Sequence, residues 1–218
     1  MLKNIVSLLI IFLVCACSVE QVADSTQIQI KEYEVAGREM HIPDAYTRFA
    51  HSSVGIDSGF IQMWYPGDAP LPGEPGDLFD QGEWDKNIRL LFSHAPKAVP
   101  QKTLNHMIDH HGADTLVGKE YGLEHYSQSD EYERIFRRDV WVVDKEEGSW
   151  ISCSKKQGDD DFIQLCSHNF YVGDMSMKIT YNKIHLPEWQ KIHENVVALY
   201  DSFSSSETAR AYVAKFYQ

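Results

Sequence analysis

The chain has 218 residues and carries 20 lysines and arginines against 32 aspartates and glutamates, for a formal net charge of −12 at pH 7. Hydrophobic residues make up 43% of it and aromatic residues 12%, which excludes a disordered or collagen-like chain. The negative charge opposes binding to nucleic acid or to an anionic membrane surface. We therefore predict no nucleic-acid partner, and we expect a protein partner to present a basic surface.

The N-terminus has the pattern of an export signal. Lys3 precedes an apolar run over residues 5–16, and this run is shorter than the roughly 20 residues that a membrane-spanning helix needs. It ends in a small residue directly before Cys17, as bacterial lipoprotein signals do. We predict that residues 1–16 are removed, that Cys17 is lipidated, that residues 17–26 form a polar tether, and that Ser18 directs the protein to the outer membrane. An ordinary secretory signal with incidental cysteines is the alternative.

Two further cysteines, Cys153 and Cys166, flank a short loop between two strand-like runs. Disulfide bonds persist in the oxidising compartment that the export signal implies. A redox or metal-binding pair would favour a C-x-x-C spacing, which these residues lack. The sequence predicts a disulfide that joins neighbouring strands.

Strand patterns dominate residues 27–181, above all residues 116–181, and helical patterns follow. Residues 44–49 form a predicted helical turn, residues 101–111 a predicted helix, and residues 66–85 a Pro- and Gly-rich loop without regular structure. The predicted strands cover residues 27–35, 52–56, 60–65, 88–92, 138–144, 150–154, 162–170 and 175–181.

The C-terminal region has the clearest helical periodicity. Apolar residues recur at spacings of three and four in a predicted helix that begins near Pro187, and Ser204-Ser-Ser-Glu207 predicts the start of a second, shorter helix. We predict one α+β domain over residues 27–218, in which an antiparallel meander sheet packs against a long C-terminal amphipathic helix.

Catalytic motifs are weak in this sequence. His106 and His110 have the i, i+4 spacing of two metal ligands, but the glutamate of metalloprotease helices does not follow His106. There is no G-x-S-x-G motif, glycine-rich phosphate loop or dinucleotide fingerprint. We predict a protein that is not an enzyme and has no cofactor or metal. A metal site at His106 and His110, and paired carboxylates that meet only in the fold, are the alternatives.

The loop over residues 66–85 is the predicted partner-binding region. It combines acidic and large apolar side chains, and residues 49–85 contain no lysine or arginine. Aromatic side chains supply contact area in an interface, and carboxylates steer a basic partner. The predicted binding residues are Asp68, Glu74, Asp77, Phe79, Asp80 and Trp84. Alternatively, the apolar side chains of the loop only fix it to the core.

Several short motifs occur in a familiar order: Ile42-Pro43, Gln62-Met-Trp-Tyr-Pro66, Asn87-Ile-Arg-Leu-Leu91, Met177-Lys-Ile-Thr-Tyr181 and Leu186-Pro-Glu-Trp189. With the lipoprotein signal, this order resembles the periplasmic lipoproteins that act as immunity proteins against phospholipase effectors of the type VI secretion system. The resemblance implies a lipid-anchored inhibitor that occludes the active-site entrance of a toxic enzyme. An envelope-maintenance lipoprotein that binds cell-wall or lipid components is the alternative.

Overall fold

The computed structural model describes residues 28–47, 53–71, 84–95, 115–127, 138–154 and 163–217, and the single residues Asn105 and Ala113. The predicted signal peptide, the tether and the lipidation site Cys17 lie outside the described residues. The predicted helix over residues 101–111 does too, except for Asn105, which is helical. Among the described residues, no helix combines the length and the apolar character that crossing a membrane requires.

Eleven strands form two antiparallel sheets in the described part of the chain. A small sheet contains β1 (Ile30–Val35) and β2 (Arg38–Pro43). The large sheet contains β3 (Ser53–Val54), β4 (Ser58–Trp64), β5 (Asn87–His94), β6 (Thr115–Glu120), β7 (Leu123–Ser127), β8 (Arg138–Asp144), β9 (Ser149–Ser154), β10 (Leu165–Val172) and β11 (Met175–Asn182).

Three α-helices and two short 3-10 helices complete the described elements. The α-helices are α1 (Asp44–Thr47), α2 (Trp189–Ser202) and α3 (Ser206–Ala214), and the 3-10 helices are Trp84–Lys86 and Lys183–Glu188. The described residues are thus mostly antiparallel sheet with few helices, the longest of them near the C-terminus, as in an α+β fold. The helix predicted to begin near Pro187 begins two residues later, at Trp189, and Pro187 lies in the 3-10 helix before it. One detail of the sequence prediction was wrong, because a 3-10 helix begins inside the loop that was predicted to have no regular structure.

The large sheet has the strand order β3-β4-β5-β11-β10-β9-β8-β7-β6, with antiparallel pairing throughout. From β6 to β11, each strand lies beside the next one in the chain. Short turns make such neighbours the simplest pairing for antiparallel strands. The pairing of β5 with β11 is different, because it joins segments about 80 residues apart and places the N-terminal strands at one edge.

The predicted disulfide is present in the structure. Cys153 of β9 and Cys166 of β10 lie directly opposite each other and form a disulfide bond. Both cysteines are fully buried. The bond joins two adjacent strands in the middle of the large sheet.

One face of the large sheet, which we call the inner face, packs against α2. Alternate residues of β5 and β11 are buried there, and the ring centroids of Phe92 and Tyr200 lie 5.6 Å apart. Phe170 of β10 contacts His193 of α2 with a centroid distance of 4.4 Å. The buried residues of α2 that join this core are Trp189, Ile192, Val196, Leu199 and Tyr200.

The short helix α3 begins with a side-chain cap. Ser205 Oγ accepts a hydrogen bond from the backbone N–H of Thr208 at 3.2 Å, which satisfies one of the free donors at the helix start. The cap lies within the Ser204-Ser-Ser-Glu207 motif from which the sequence predicted this helix. His41 of β2 contacts Ser206 at 2.9 Å, so α3 also packs beside the small sheet.

Candidate interaction surface

The structure describes both ends of the predicted binding loop. Asp68 lies in the first end, within residues 65–71, and Trp84 begins the second end, the 3-10 helix Trp84–Lys86. The predicted binding residues Glu74, Asp77, Phe79 and Asp80 lie outside the described residues. We call residues 65–71 and Trp84–Lys86, with the side chains that hold them, the loop anchor.

The first end of the loop is a tight turn against α2. The Tyr65–Pro66 peptide bond is cis. The N–H of Gly67 donates to the carbonyl of Trp64 at 2.8 Å, and the N–H of Trp64 donates to the carbonyl of Ala69 at 2.7 Å. Asn195 of α2 donates its side-chain N–H to the carbonyl of Pro66 at 3.3 Å. Backbone groups of the turn are thus paired both locally and with the helix.

Gly67 allows the turn to approach the helix closely. Its φ is +106°, a conformation that residues with side chains rarely adopt. A Cβ atom at this position would lie 3.1 Å from Cγ2 of Val196 and 3.4 Å from Cγ2 of Ile192. The backbone conformation therefore favours glycine, and an added side chain would also need Val196 to shift by a few tenths of an ångström.

Asp68 interacts with other residues of the same chain. Its carboxylate lies 3.2 Å from Lys215 Nζ, and its side chain is only 14% exposed. Lys215 Nζ also lies 3.6 Å from the ring centroid of Tyr212. The buried hydroxyl of Tyr46 donates to the backbone carbonyl of Asp68. Asp68 therefore fixes the first end of the loop to α1 and to the end of the chain.

Leu71 fits the alternative interpretation, in which the apolar side chains of the loop only fix it to the core. Its side chain is 1% exposed and packs against Trp64. This apolar residue fixes the loop to the body of the protein. It occupies the last described position before the undescribed part of the loop, so it anchors the end rather than the tip.

The second end of the loop is held by the 3-10 helix before α2. His185 donates from Nε2 to the carbonyl of Asp85 at 2.8 Å, which assigns the proton to that nitrogen. The His185 ring stacks on Tyr65 with centroids 4.0 Å apart and an interplanar angle of 20°. His185 thus connects the two ends of the loop, because Tyr65 belongs to the first end and Asp85 to the second.

Titratable side chains of the loop anchor pair with one another. Partial burial, and then the hydrogen bond to Glu188, raise the pKa of Tyr65 to about 12. The same hydrogen bond lowers the pKa of Glu188, and Lys191 lies 3.6 Å from its carboxylate. Tyr65 therefore stays protonated and Glu188 stays ionised at neutral pH.

A serine and a histidine meet in the core. Ser149 Oγ lies 3.4 Å from Nε2 of His168, and these residues are 6% and 0% exposed. Burial, and then the neighbouring His193, hold the pKa of His168 well below its usual value. Because both side chains are buried, a substrate cannot reach them. The Ser149–His168 pair is therefore part of the core packing and not a hydrolase site.

One group of described side chains could hold a cation. Ligand atoms of Glu32, Glu39 and His41 all lie within 4.8 Å of one another. The ring nitrogens of His41 already contact Ser206 at 2.9 Å and Glu39 at 3.3 Å, and these contacts explain the group without a metal. The sequence candidates His106 and His110 lie outside the described residues.

Sequence reasoning missed the residues that hold the loop. His185, Asn195 and Lys215 lie 100, 129 and 147 positions from their partners in the loop. Nothing local in the sequence distinguishes them. Co-variation between distant positions would be the signal that finds such pairs.

Two solved structures share the fold. Smlt3025, an immunity protein of the Stenotrophomonas maltophilia type IV secretion system, is 14% identical with a TM-score of 0.58, over 77% of this chain and 90% of that one. The Neisseria meningitidis iron-regulated outer membrane lipoprotein FrpD is 13% identical with a TM-score of 0.54, over 81% of this chain and 92% of that one. No family model and no curated protein matches the sequence. The chain therefore has a fold found in an immunity protein and in an outer membrane lipoprotein.

Proposed function

We propose that the chain is a lipid-anchored periplasmic binding protein that acts as an immunity protein and inhibits a toxic effector by occluding it. The loop anchor is the observation that carries this proposal. It holds both ends of an acidic loop on the C-terminal half of the fold. The fold shared with a secretion-system immunity protein supports the same role.

Anchoring favours binding for a physical reason. A loop whose ends are fixed loses less conformational entropy on binding than a free segment, and prolines reduce that loss further. Of the predicted binding residues, Glu74, Asp77 and Asp80 would attract a basic effector surface, while Phe79 and Trp84 would supply contact area. Asp68 would contribute indirectly, because its carboxylate is paired with Lys215.

The proposal extends to the class of effector. The sequence motifs support a phospholipase-type effector of a type VI secretion system, whereas the similar immunity protein belongs to a type IV system. A secreted toxin encoded beside this gene is the first effector to test. The expected mechanism is occlusion of its active-site entrance, so the inhibited toxin should not bind substrate.

A matched pair of variants tests the proposal. The triple variant Glu74→Gln, Asp77→Asn and Asp80→Asn should abolish inhibition of the neighbouring toxin, measured as release of a fluorescent fatty acid from a phospholipid. The control variant Glu194→Gln, Asp201→Asn and Glu207→Gln removes the same charge from exposed positions of α2 and α3, and it should inhibit like the natural chain. Equal inhibition by both variants would exclude the loop as the binding surface.

The lipid anchor is tested separately. The variant Cys17→Ala should move the protein from the membrane fraction to the soluble periplasmic fraction, because no acyl chains can be attached without the cysteine. The control Cys15→Ala changes a cysteine inside the signal peptide and should leave the protein on the membrane. Membrane retention of the Cys17 variant would contradict lipidation.

A role in envelope maintenance is the second candidate, and the fold shared with an outer membrane lipoprotein favours it. Deletion of the gene distinguishes the two candidate functions. An immunity role predicts that cells without the gene are killed by the toxin of neighbouring cells but grow normally alone. Envelope maintenance predicts sensitivity to detergent without any toxin.

A further inference from the structure

The outer face of the large sheet, opposite α2, carries an unusual group of positive charges. Strand alternation and register place Arg89 of β5 opposite Thr180 of β11, and Lys178 of β11 opposite Leu91 of β5. Arg138 lies on β8, opposite Ser154 of β9. Two arginines and a lysine therefore face the same side of a protein whose net charge is −12.

On the described strands of that face, these cations have no acidic neighbours. The outer-face positions of β4, β5, β9, β10 and β11 contain no aspartate or glutamate. Among the described residues, no carboxylate lies within ion-pair distance of Arg89, Lys178 or Arg138. Arg138 donates a hydrogen bond to Ser152 Oγ at 3.5 Å.

Short side chains between the long ones create a groove. Thr180, Ser167 and Ser154 lie on the strands between Arg89 and Arg138 and form the floor. Neighbouring strands are about 4.8 Å apart, so the floor is roughly 19 Å wide across the four spacings from β5 to β8. The groove has a volume of about 460 Å³. We call it the outer groove.

The floor of the outer groove is rigid. Ser154 Oγ accepts a hydrogen bond from the N–H of Leu165 at 3.1 Å, which ties β9 to β10 beyond the regular ladder. The disulfide between Cys153 and Cys166 joins the same two strands from the inner face. A rigid floor fixes the strand positions from which the cations project, and a ligand has to order only their side chains.

The rim of the groove is partly apolar. Leu91 and Leu165 are each 38% exposed, and Phe60 also lines the groove. Exposed apolar groups beside cations that have no carboxylate partner among the described residues favour a ligand that carries both carboxylates and apolar side chains. A short acidic polypeptide segment has this composition.

We propose that the outer groove binds a short acidic segment of a polypeptide partner, with carboxylates on Arg89, Lys178 and Arg138 and apolar side chains on Leu91 and Leu165. The arginine guanidinium groups suit carboxylates because they donate two parallel hydrogen bonds. This goes beyond the proposed function, since the loop presents carboxylates whereas the groove accepts them.

Charge and shape favour a peptide over larger anions. The net charge of the chain repels an extended polyanion or an anionic membrane, while the local field of three cations in a concave surface attracts a short segment. A membrane is also too flat to reach the hydroxyl floor between the longer side chains.

The test measures binding of a fluorescein-labelled peptide of alternating glutamate and leucine by fluorescence anisotropy. All proteins carry Cys17→Ala, so that the lipid does not contribute. The groove variant is Arg89→Gln with Lys178→Gln. The matched control is Lys119→Gln with Arg210→Gln, which removes two exposed cations outside the groove. Thermal melting confirms that each variant is folded.

We expect saturable binding that weakens at least tenfold in the groove variant and less than twofold in the control, because a lost charge-assisted hydrogen bond changes affinity by about tenfold or more. A peptide of alternating glutamine and leucine should not bind. Three results would overturn the proposal: no binding of the acidic peptide, equal weakening in both variants, or binding of phosphatidylglycerol vesicles in place of the peptide. The loop variant should bind the peptide normally, so failure of the effector proposal leaves this result unchanged.

Discussion

The loop anchor and the outer groove differ in how their charges are satisfied. In the loop anchor, Asp68 pairs with Lys215 and Glu188 pairs with Lys191. In the outer groove, Arg89 and Lys178 face no carboxylate among the described residues. Paired charges hold a backbone in place, whereas unpaired exposed cations keep their hydrogen-bonding capacity for a ligand. We therefore expect substitutions in the anchor to change stability and substitutions in the groove to change binding alone.

The largest effect is expected at Gly67. The variant Gly67→Val adds backbone strain at φ +106° and contacts with Val196 and Ile192, and it should lower the free energy of unfolding by about 4 kcal/mol. Urea denaturation measures this value. Gly37→Ala is the control, because its φ is +74° but nothing lies within 4 Å of the added Cβ; we expect a loss of about 1 kcal/mol. Equal losses in the two variants would show that the turn does not pack closely on α2.

The disulfide beneath the outer groove has the next largest expected effect. Replacing both Cys153 and Cys166 with alanine should lower the free energy of unfolding by about 3 kcal/mol, since the bond closes a short loop in the unfolded chain. A reducing agent should destabilise the natural chain by a similar amount and leave the double variant unchanged. Insensitivity of the natural chain to reduction would contradict the bond.

Acid should weaken the packing that supports the loop anchor. Burial lowers the pKa values of both His168 and His193, so the unfolded chain takes up protons near pH 6.5 while the folded chain does not. Stability is thus complete above about pH 6.5 and falls as the pH decreases below it. The variant His168→Leu should show a smaller decrease between pH 6.5 and 5 in urea denaturation. An unchanged slope would exclude His168 as the titrating group.

The two smallest effects are expected for the pair of Asp68 and Lys215 and for the cations of the outer groove. A double-mutant cycle with Asp68→Asn and Lys215→Gln should give a coupling energy of about 1 kcal/mol or less, because the lysine is 43% exposed. The outer-groove variant of Arg89 and Lys178 should change the free energy of unfolding by less than about 0.5 kcal/mol. A larger loss in the groove would mean that its cations are structural, and the contrast between the two regions would fail.

Local patterns predicted much of the fold. The alternation in β11 predicted a strand, and the C-terminal periodicity predicted a helix. The positions of Cys153 and Cys166 on either side of a short loop predicted a disulfide. The structure contains all three, and each pattern involves only residues that are close in sequence. The pairing of β5 with β11 could not be predicted in this way, because its two strands carry no sequence signal for each other.

That distant pairing also explains why the outer groove was missed. The sequence shows Arg89 and Lys178 as isolated cations in an acidic chain. They become neighbours only when β5 and β11 pair in this register. The same holds for the loop anchor, because His185 and Asp85 are 100 positions apart in the sequence and are neighbours only in the folded chain.

Titration calorimetry of the purified neighbouring toxin is the most direct measurement of the immunity role. We expect the natural chain to bind the toxin with one-to-one stoichiometry, the loop variant of Glu74, Asp77 and Asp80 to lose this binding, and the control variant of Glu194, Asp201 and Glu207 to keep it. Absence of binding by the natural chain, or equal binding by all three proteins, would contradict a loop-mediated immunity function.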